Sequence, residues 1–275
     1  ATSFKVYMHI TRADLEEVVK RSHSHNYKVT GHLCSVTYRE AADIGIDNLE
    51  HGFMTSTDFI KDKEPDVCNS RMIRRSLAAL DKDSPEMDEL ISHLIKKDVA
   101  LTSTLNVFEP VTGREVVPGG GLPALAPQVR ERLLTGYVGY HGRDSASISL
   151  FKKEMYWEKK FYDAGGLLVA GTDPTGSGRV VAGYANQHKV ELLVEAGFSV
   201  PQAINICTLN GARYLEVDNE TGSIQKGKIA DLIIIDGNLE DDITNIRKME
   251  IVFKDGVGFN SSRLFKSVEG LVGLN

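Results

Sequence analysis

The sequence predicts an α/β chain, a parallel sheet with crossover helices followed by a small β domain, and three observations carry that prediction. Strand-like runs alternate with amphipathic helical runs at least five times before residue 215, and such alternation builds parallel sheets whose crossovers are helices. After Leu215 the pattern changes to short strands joined by turns, so the predicted division is 1–215 for the α/β part and 216–275 for the β part. The length of 275 residues, 41% hydrophobic and 25% charged, is ordinary globular composition with enough chain for a large core.

Taken in order, Ser3–Met8 alternates polar and apolar residues and reads as a short strand. Thr11 opens a helix through T-R-A-D, with Leu15, Val18 and Val19 spaced for one buried face. Tyr27–Gly31 is the next strand and runs into His32. A helix follows from Thr37, with Ala41, Ala42 and Ile44 inward and Gly45 as its C-cap. Asn48–Glu50 is a very short strand ending at His51. Thr55–Pro85 is polar and irregular apart from a helical patch around Met72–Leu80. Met87–Lys97 reads as an amphipathic helix and Asp98–Ser103 as a buried strand. Asn106–Gly142, with Gly119-Gly120-Gly121 and four prolines, is expected to be a long lid or binding loop. Ser145–Ala164 is a helix, and Leu167–Ala170 an apolar strand leading to Gly171-Thr172-Asp173. Beyond Leu215, Gly222–Ile224, Ala230–Asp236 and Glu250–Lys254 read as short strands.

Several function classes are excluded. A net charge of −6 with no block of five like charges lacks the clustered Lys and Arg that nucleic acid requires. No apolar run approaches the roughly 20 residues that cross a bilayer. No P-loop, no G-x-G-x-x-G after a strand and no G-x-S-x-G elbow occurs, which removes support for nucleotide binding and serine hydrolysis. Three cysteines, Cys34, Cys68 and Cys207, are too few and too widely spaced for a disulfide framework. A reducing, cytoplasmic compartment is therefore favoured over a periplasmic one, with the compartment otherwise open. Ala1 is neither an initiator Met nor part of a signal-peptide pattern, and the chain is expected to begin partway through a longer protein.

In parallel α/β folds the chemistry sits at the C-terminal ends of the strands. Four such ends carry Lys5, His32, His51 and Asp173. Two imidazoles and a carboxylate are donors that suit zinc or a similar divalent ion. Lys5 has two readings, a salt-bridged lysine or one carbamylated by CO2 into a carboxylate. Asp173 in G-T-D-P-T-G reads as ligand and proton acceptor, or as a cap of the next helix. The pair His23-Ser24-His25 looks like a metal-binding H-x-H, but it lies before a strand rather than after one, at the wrong end of the sheet. His9 is as compatible with the surface as with the site, and His93 belongs to a helix. Tyr7, which follows the first strand, and Tyr137, Tyr140, His141 and Arg143 of the insertion are the substrate-contact candidates.

These residues carry a family likeness. F-K-V-Y at Phe4–Tyr7, V-T-G-H at Val29–His32, D-N-L-E-H-G at Asp47–Gly52 and A-G-T-D at Ala170–Asp173 are similar to the amidohydrolase superfamily, in particular to its imidazolonepropionase- and prolidase-like members. H-K-V-E-L-L-V-E-A-G at His188–Gly197, T-L-N-G-A-R-Y-L at Thr208–Leu215 and the stretch Gly222–Asn238 extend the likeness over nearly the whole chain. The resemblance implies a TIM-like (β/α)8 barrel, of which strands four to eight are present here, with a small C-terminal β-sandwich portion. It implies a divalent metal, zinc for one or two ions, held by Lys5, His32, His51 and Asp173. Lys5 would be a carbamylated bridge of a binuclear centre, and Asp173 also the catalytic base. The expected activity is hydrolysis of amide or cyclic-amide C–N bonds in dipeptide-like or related small molecules, through a metal-activated water. Deamination, lactone or phosphoester hydrolysis on the same scaffold, or a non-catalytic barrel subunit, are the alternatives. The family's first three strands and its H-x-H pair have no counterpart, so the chain resembles about the C-terminal two-thirds of such an enzyme. The remainder of the barrel is expected from the same gene or a second chain, and the protein is expected to be a homo-oligomer.

Overall fold

The elements of the computed structural model run in the order β1 (Ser3–Val6), α1 (Arg12–His23), β2 (Lys28–Gly31), α2 (Tyr38–Ile44), β3 (Asn48–Glu50), α3 (Ser70–Ala79), α4 (Pro85–Lys96) and β4 (Ala100–Ser103). There follow α5 (Leu105–Phe108), α6 (Pro127–Tyr140), α7 (Ser145–Asp163), β5 (Leu168–Ala170), α8 (Tyr184–Glu195), α9 (Val200–Cys207) and α10 (Leu209–Tyr214). The chain ends with β6 (Leu232–Ile235), β7 (Met249–Lys254), β8 (Val257–Asn260) and α11 (Ser261–Ser267). The structure describes residues 2–114, 117, 119–140, 145–174 and 179–273, the side chains at 139, 140 and 145 excepted. The chain divides into two units, one of Ala1–Ser103 with Lys152–Val169 and one of Thr104–Phe151 with Ala170–Asn275.

The first unit is built on a five-stranded sheet in the order β1-β2-β3-β4-β5, parallel through its first three pairings. Five strands is the number implied for strands four to eight of a barrel, but here they form an open sheet rather than a closed one. The register sorts side chains by face. Phe4 pairs with Val29, Gly31 with Leu49, and Leu49 with Leu101. Val29, Leu49 and Leu101 on this face are fully buried. The opposite face carries Lys5, Thr30, Asn48, Glu50 and Thr102. That alternation follows from the two-residue period of a strand.

The helices start and stop where their caps dictate. Thr11 accepts the Asp14 amide, Thr37 and Glu40 form a reciprocal capping box, and Gly45 closes α2 at φ 103°. Ser84 accepts the amide of Met87 to start α4. α1 packs on α2 and α2 on α4, burying Leu15, Val19, Ala41, Leu90 and Leu94. Trp157 and Phe161 of α7 are fully buried as well, the Trp157 indole donating to Lys82 O at 2.9 Å.

In the second unit, the described residues of the segment predicted as a long lid or binding loop are mostly helical. It contains α5, the 3-10 turns Glu109–Thr112 and Leu122–Ala124, and the 14 residues of α6. The reason is visible in its prolines. Pro110 and Pro123 sit at the first turns of those 3-10 segments, and Pro127 begins α6, positions where a missing N–H costs nothing. Leu125, Ala126, Val129, Leu133 and Val181 form a cluster of their own. The triple glycine lets the backbone approach α8: a Cβ on Gly119, at φ 84°, would fall 2.5 Å from His188 Cβ. β6, β7 and β8 form an antiparallel sheet, with α11 against β7 and β8. The strand predicted at Gly222–Ile224 is absent: Gly222 and Ser223 form a bend, and Ile224 is 88% exposed.

The cysteine reading changes as well. Cys34 and Cys68 form a disulfide across Cα atoms 5.0 Å apart, with Cys207 free. A separation of 34 residues hid a pairing that only the fold brings together, and disulfides belong to oxidising compartments. The argument for a reducing compartment therefore falls. Among the described residues no helix is long and apolar enough to cross a membrane.

Candidate active site at the strand ends

The sheet of the first unit brings four of the sequence candidates to one edge. Lys5 lies in the last half of β1, while His32 and His51 directly follow β2 and β3. Because the strands are parallel and adjacent, the three end on the same side. The rings of His32 and His51 meet edge to face with centroids 4.4 Å apart. Tyr7 also meets His32, its ring centroid 4.7 Å away, and Lys5 Nζ is 6.0 Å from the Tyr7 ring centre. His51 is only 4% exposed, whereas Tyr7 is 58% exposed and open to a small molecule.

Lys5 adopts the salt-bridged alternative in this structure, pairing with Glu50 Oε2. Thr30 Oγ1 donates to the other oxygen of Glu50 at 2.9 Å, so Lys5, Thr30 and Glu50 form a polar chain across three strands. Glu50 was not among the sequence candidates. Its signal was there to be read, since it immediately precedes His51 on the same face as Lys5 and Thr30.

Asp173 lies in the second unit, exposed and at φ 45°. His141 and Arg143 lie outside the described residues, as does the side chain of Tyr140. Tyr137 Oη donates to Gly113 O at 3.1 Å. His23 Nε2 is 2.9 Å from Asp47 Oδ2, and that same oxygen accepts the Val29 amide at 2.6 Å. Asp47 and Val29 mark the starts of β3 and β2, so the H-x-H look-alike does sit at the opposite end of the sheet. His93 is paired with Asp43 at 3.1 Å, and His9 is exposed.

A second charged cluster, in the second unit, escaped the sequence reading. His188 of α8 places Nε2 2.5 Å from Glu109 Oε2 and Nδ1 2.7 Å from Glu191 Oε2. Arg247 donates to both oxygens of Glu191, and Arg114 to both oxygens of Glu195 at 3.0 and 2.8 Å. They line a cleft of about 490 Å³. Burial disfavours the imidazolium, but the two glutamates outweigh it and push the His188 pKa up to about 9. The partners come from segments 79 and 59 residues away, which no local motif announces.

With this geometry in view, comparison with known proteins places the chain in a family. Residues 6–265 match the amidohydrolase family, and the chain belongs to it. Imidazolonepropionase of Picrophilus torridus is 58% identical over 38 residues, 14% of this chain and 10% of that protein. A Xaa-Pro dipeptidase with bound methionine in its active site superposes with a TM-score of 0.63 at 19% identity, over 94% of this chain and 55% of that one. Bottromycin amidohydrolase gives 0.65 at 19% identity, over 97% and 59%. The chain thus spans little more than half the length of these structures, and at such identity they establish the fold alone.

The donor types at the strand ends fit a divalent metal. His32 and His51 are two imidazoles side by side, the nitrogen ligands that zinc accepts, and Glu50 of β3 pairs with Lys5 of β1. Among the described residues no three His, Cys, Asp or Glu side chains are gathered to hold an ion.

Proposed function

We propose that this chain is part of a metal-dependent hydrolase of amide or cyclic-amide C–N bonds in dipeptide-like or related small molecules. The observation that carries the reading is the contact of His32 with His51 at the ends of adjacent parallel strands, in a chain of the amidohydrolase family. The five strands are strands four to eight of a (β/α)8 barrel, and the rest of the barrel comes from the same gene or a second chain. The protein works as a homo-oligomer.

His32 and His51 hold a divalent metal, zinc as one or two ions, with Asp173 as a further ligand. When bound, the metal polarises the scissile carbonyl and makes water a nucleophile at neutral pH. Asp173 takes the proton of the attacking water and returns it to the leaving nitrogen. Tyr7, exposed beside His32, supplies an aromatic surface for the substrate, joined by Tyr140, His141 and Arg143. Lys5, paired with Glu50, is the residue that reaction with CO2 and loss of a proton would convert into a carbamate, a carboxylate that could serve as a further metal ligand.

The test is hydrolysis of a panel of dipeptides and cyclic amides by the full-length protein, before and after chelation and zinc restoration. Asp173→Asn should lower kcat by about 10²–10⁴-fold, the usual weight of a general base, with an unchanged melting temperature. Retained turnover in that variant removes Asp173 from the mechanism, and turnover indifferent to chelation removes the metal.

A further inference from the structure

We propose that Tyr38 is a positioning residue for His51, a role that rests on reading His51 as a metal ligand. The strand β3 ends at Glu50, and the chain then takes two consecutive left-handed residues, His51 at φ 72° and Gly52 at φ 57°. A histidine can adopt this region, but only at a cost that the surroundings must offset. The Gly52 amide still reaches the sheet, donating to Thr102 O at 2.9 Å. The carbonyls on either side of His51 converge on one phenol. Tyr38 Oη lies 3.0 Å from Glu50 O and 2.8 Å from Gly52 O.

A phenol has one proton, which these two carbonyls share. The hydroxyl of Thr55, 2.7 Å from Tyr38 Oη and 3.3 Å from Glu50 O, completes the set. Tyr38 is fully buried, and burial pushes its pKa well above the ordinary value. The phenol therefore stays a donor throughout the working range. Its own position is fixed by the loop it holds. Tyr38 is the first residue of α2, and Asp58 accepts the amides of Tyr38 and Arg39 at 2.8 and 3.0 Å. Further along the turn, buried Glu154 accepts the Phe53 amide at 2.8 Å. Helix and turn thus lock each other, and His51 is the residue enclosed between the two bonded carbonyls. Its ring position against His32 is set from behind by Tyr38.

The experiment is zinc titration of the full-length protein against a chromophoric chelator, comparing wild type with Tyr38→Phe, which keeps the ring and removes the hydroxyl. Loss of a group that orients a ligand should weaken zinc by about 10–100-fold. Thr55→Val, the gentler variant, should move affinity in the same direction by a few fold and provides the readout if Tyr38→Phe does not fold. Leu90→Ala, in the core of α4, is the control: it should lower the melting temperature and leave zinc affinity unchanged. If Tyr38→Phe and Thr55→Val bind zinc within twofold of wild type, the positioning role is wrong. If wild type itself binds no zinc, the reading of His51 as a ligand fails first and takes this role with it.

Discussion

Raising the pH should release a fastening built into the second unit. His188 joins α8 to the 3-10 turn Glu109–Thr112 through Glu109, while Glu191 links it to Arg247. Burial alone would depress its pKa, but the hydrogen bonds and charges of Glu109 and Glu191 raise it from 6.5 to about 9. A histidine whose folded pKa is raised gives stability that is complete below its unfolded value of 6.5 and lost as pH rises through about 9. The linked contribution is about 2–3 kcal/mol near neutrality and close to zero by about pH 10. Thermal unfolding of wild type and His188→Gln across that range measures it directly. The gap in melting temperature should narrow by about 4–12 °C between about pH 7 and about pH 10, given the entropy of unfolding of a unit this size. The remaining gap at high pH reflects Glu109, 2% exposed, left without its imidazole partner. A gap that stays constant across the range would show that His188 is not protonated in the cluster.

Replacing Cys34 and Cys68 by Ala opens a loop of 34 residues. Chemical denaturation should report a loss of about 4 kcal/mol relative to the oxidised protein, and reduction of the wild type by a dithiol should give the same loss. Gly52→Ala puts a Cβ 1.8 Å from Glu154 Oε1 at a φ of 57°, so it should cost about 3 kcal/mol in the same assay. Gly136→Ala, with open space around its Cβ, should be neutral or mildly stabilising, since alanine suits the interior of α6 better.

What could be read from the chain follows the range of the forces involved. α1, α2 and α4 were legible because caps such as Thr11, Thr37 and Gly45 and the apolar spacing of Leu15 and Val19 act within a few residues. The strand-end histidines were legible for the same reason, since β-forming runs stop at His32 and His51. Their approach to 4.4 Å then follows from parallel pairing in register. The Cys34–Cys68 bond, the His188 cluster and the phenol behind His51 were not legible, because each is made by segments distant in sequence. The helical character of 106–142 was missed because prolines that open helical turns look like prolines that break them. Only the neighbouring Leu125, Val129 and Leu133 show which role applies.

The proposed metal site rests on His32 and His51 holding one divalent ion together. The most direct measurement is metal content of the purified full-length protein by elemental analysis after equilibration with zinc, for wild type, His32→Ala and His51→Ala. At least one zinc per chain in wild type, with retention falling by about 100-fold or more in each variant, is the expected result, since each removes a ligand outright. Equal zinc in wild type and both variants, or none in any of them, would contradict it.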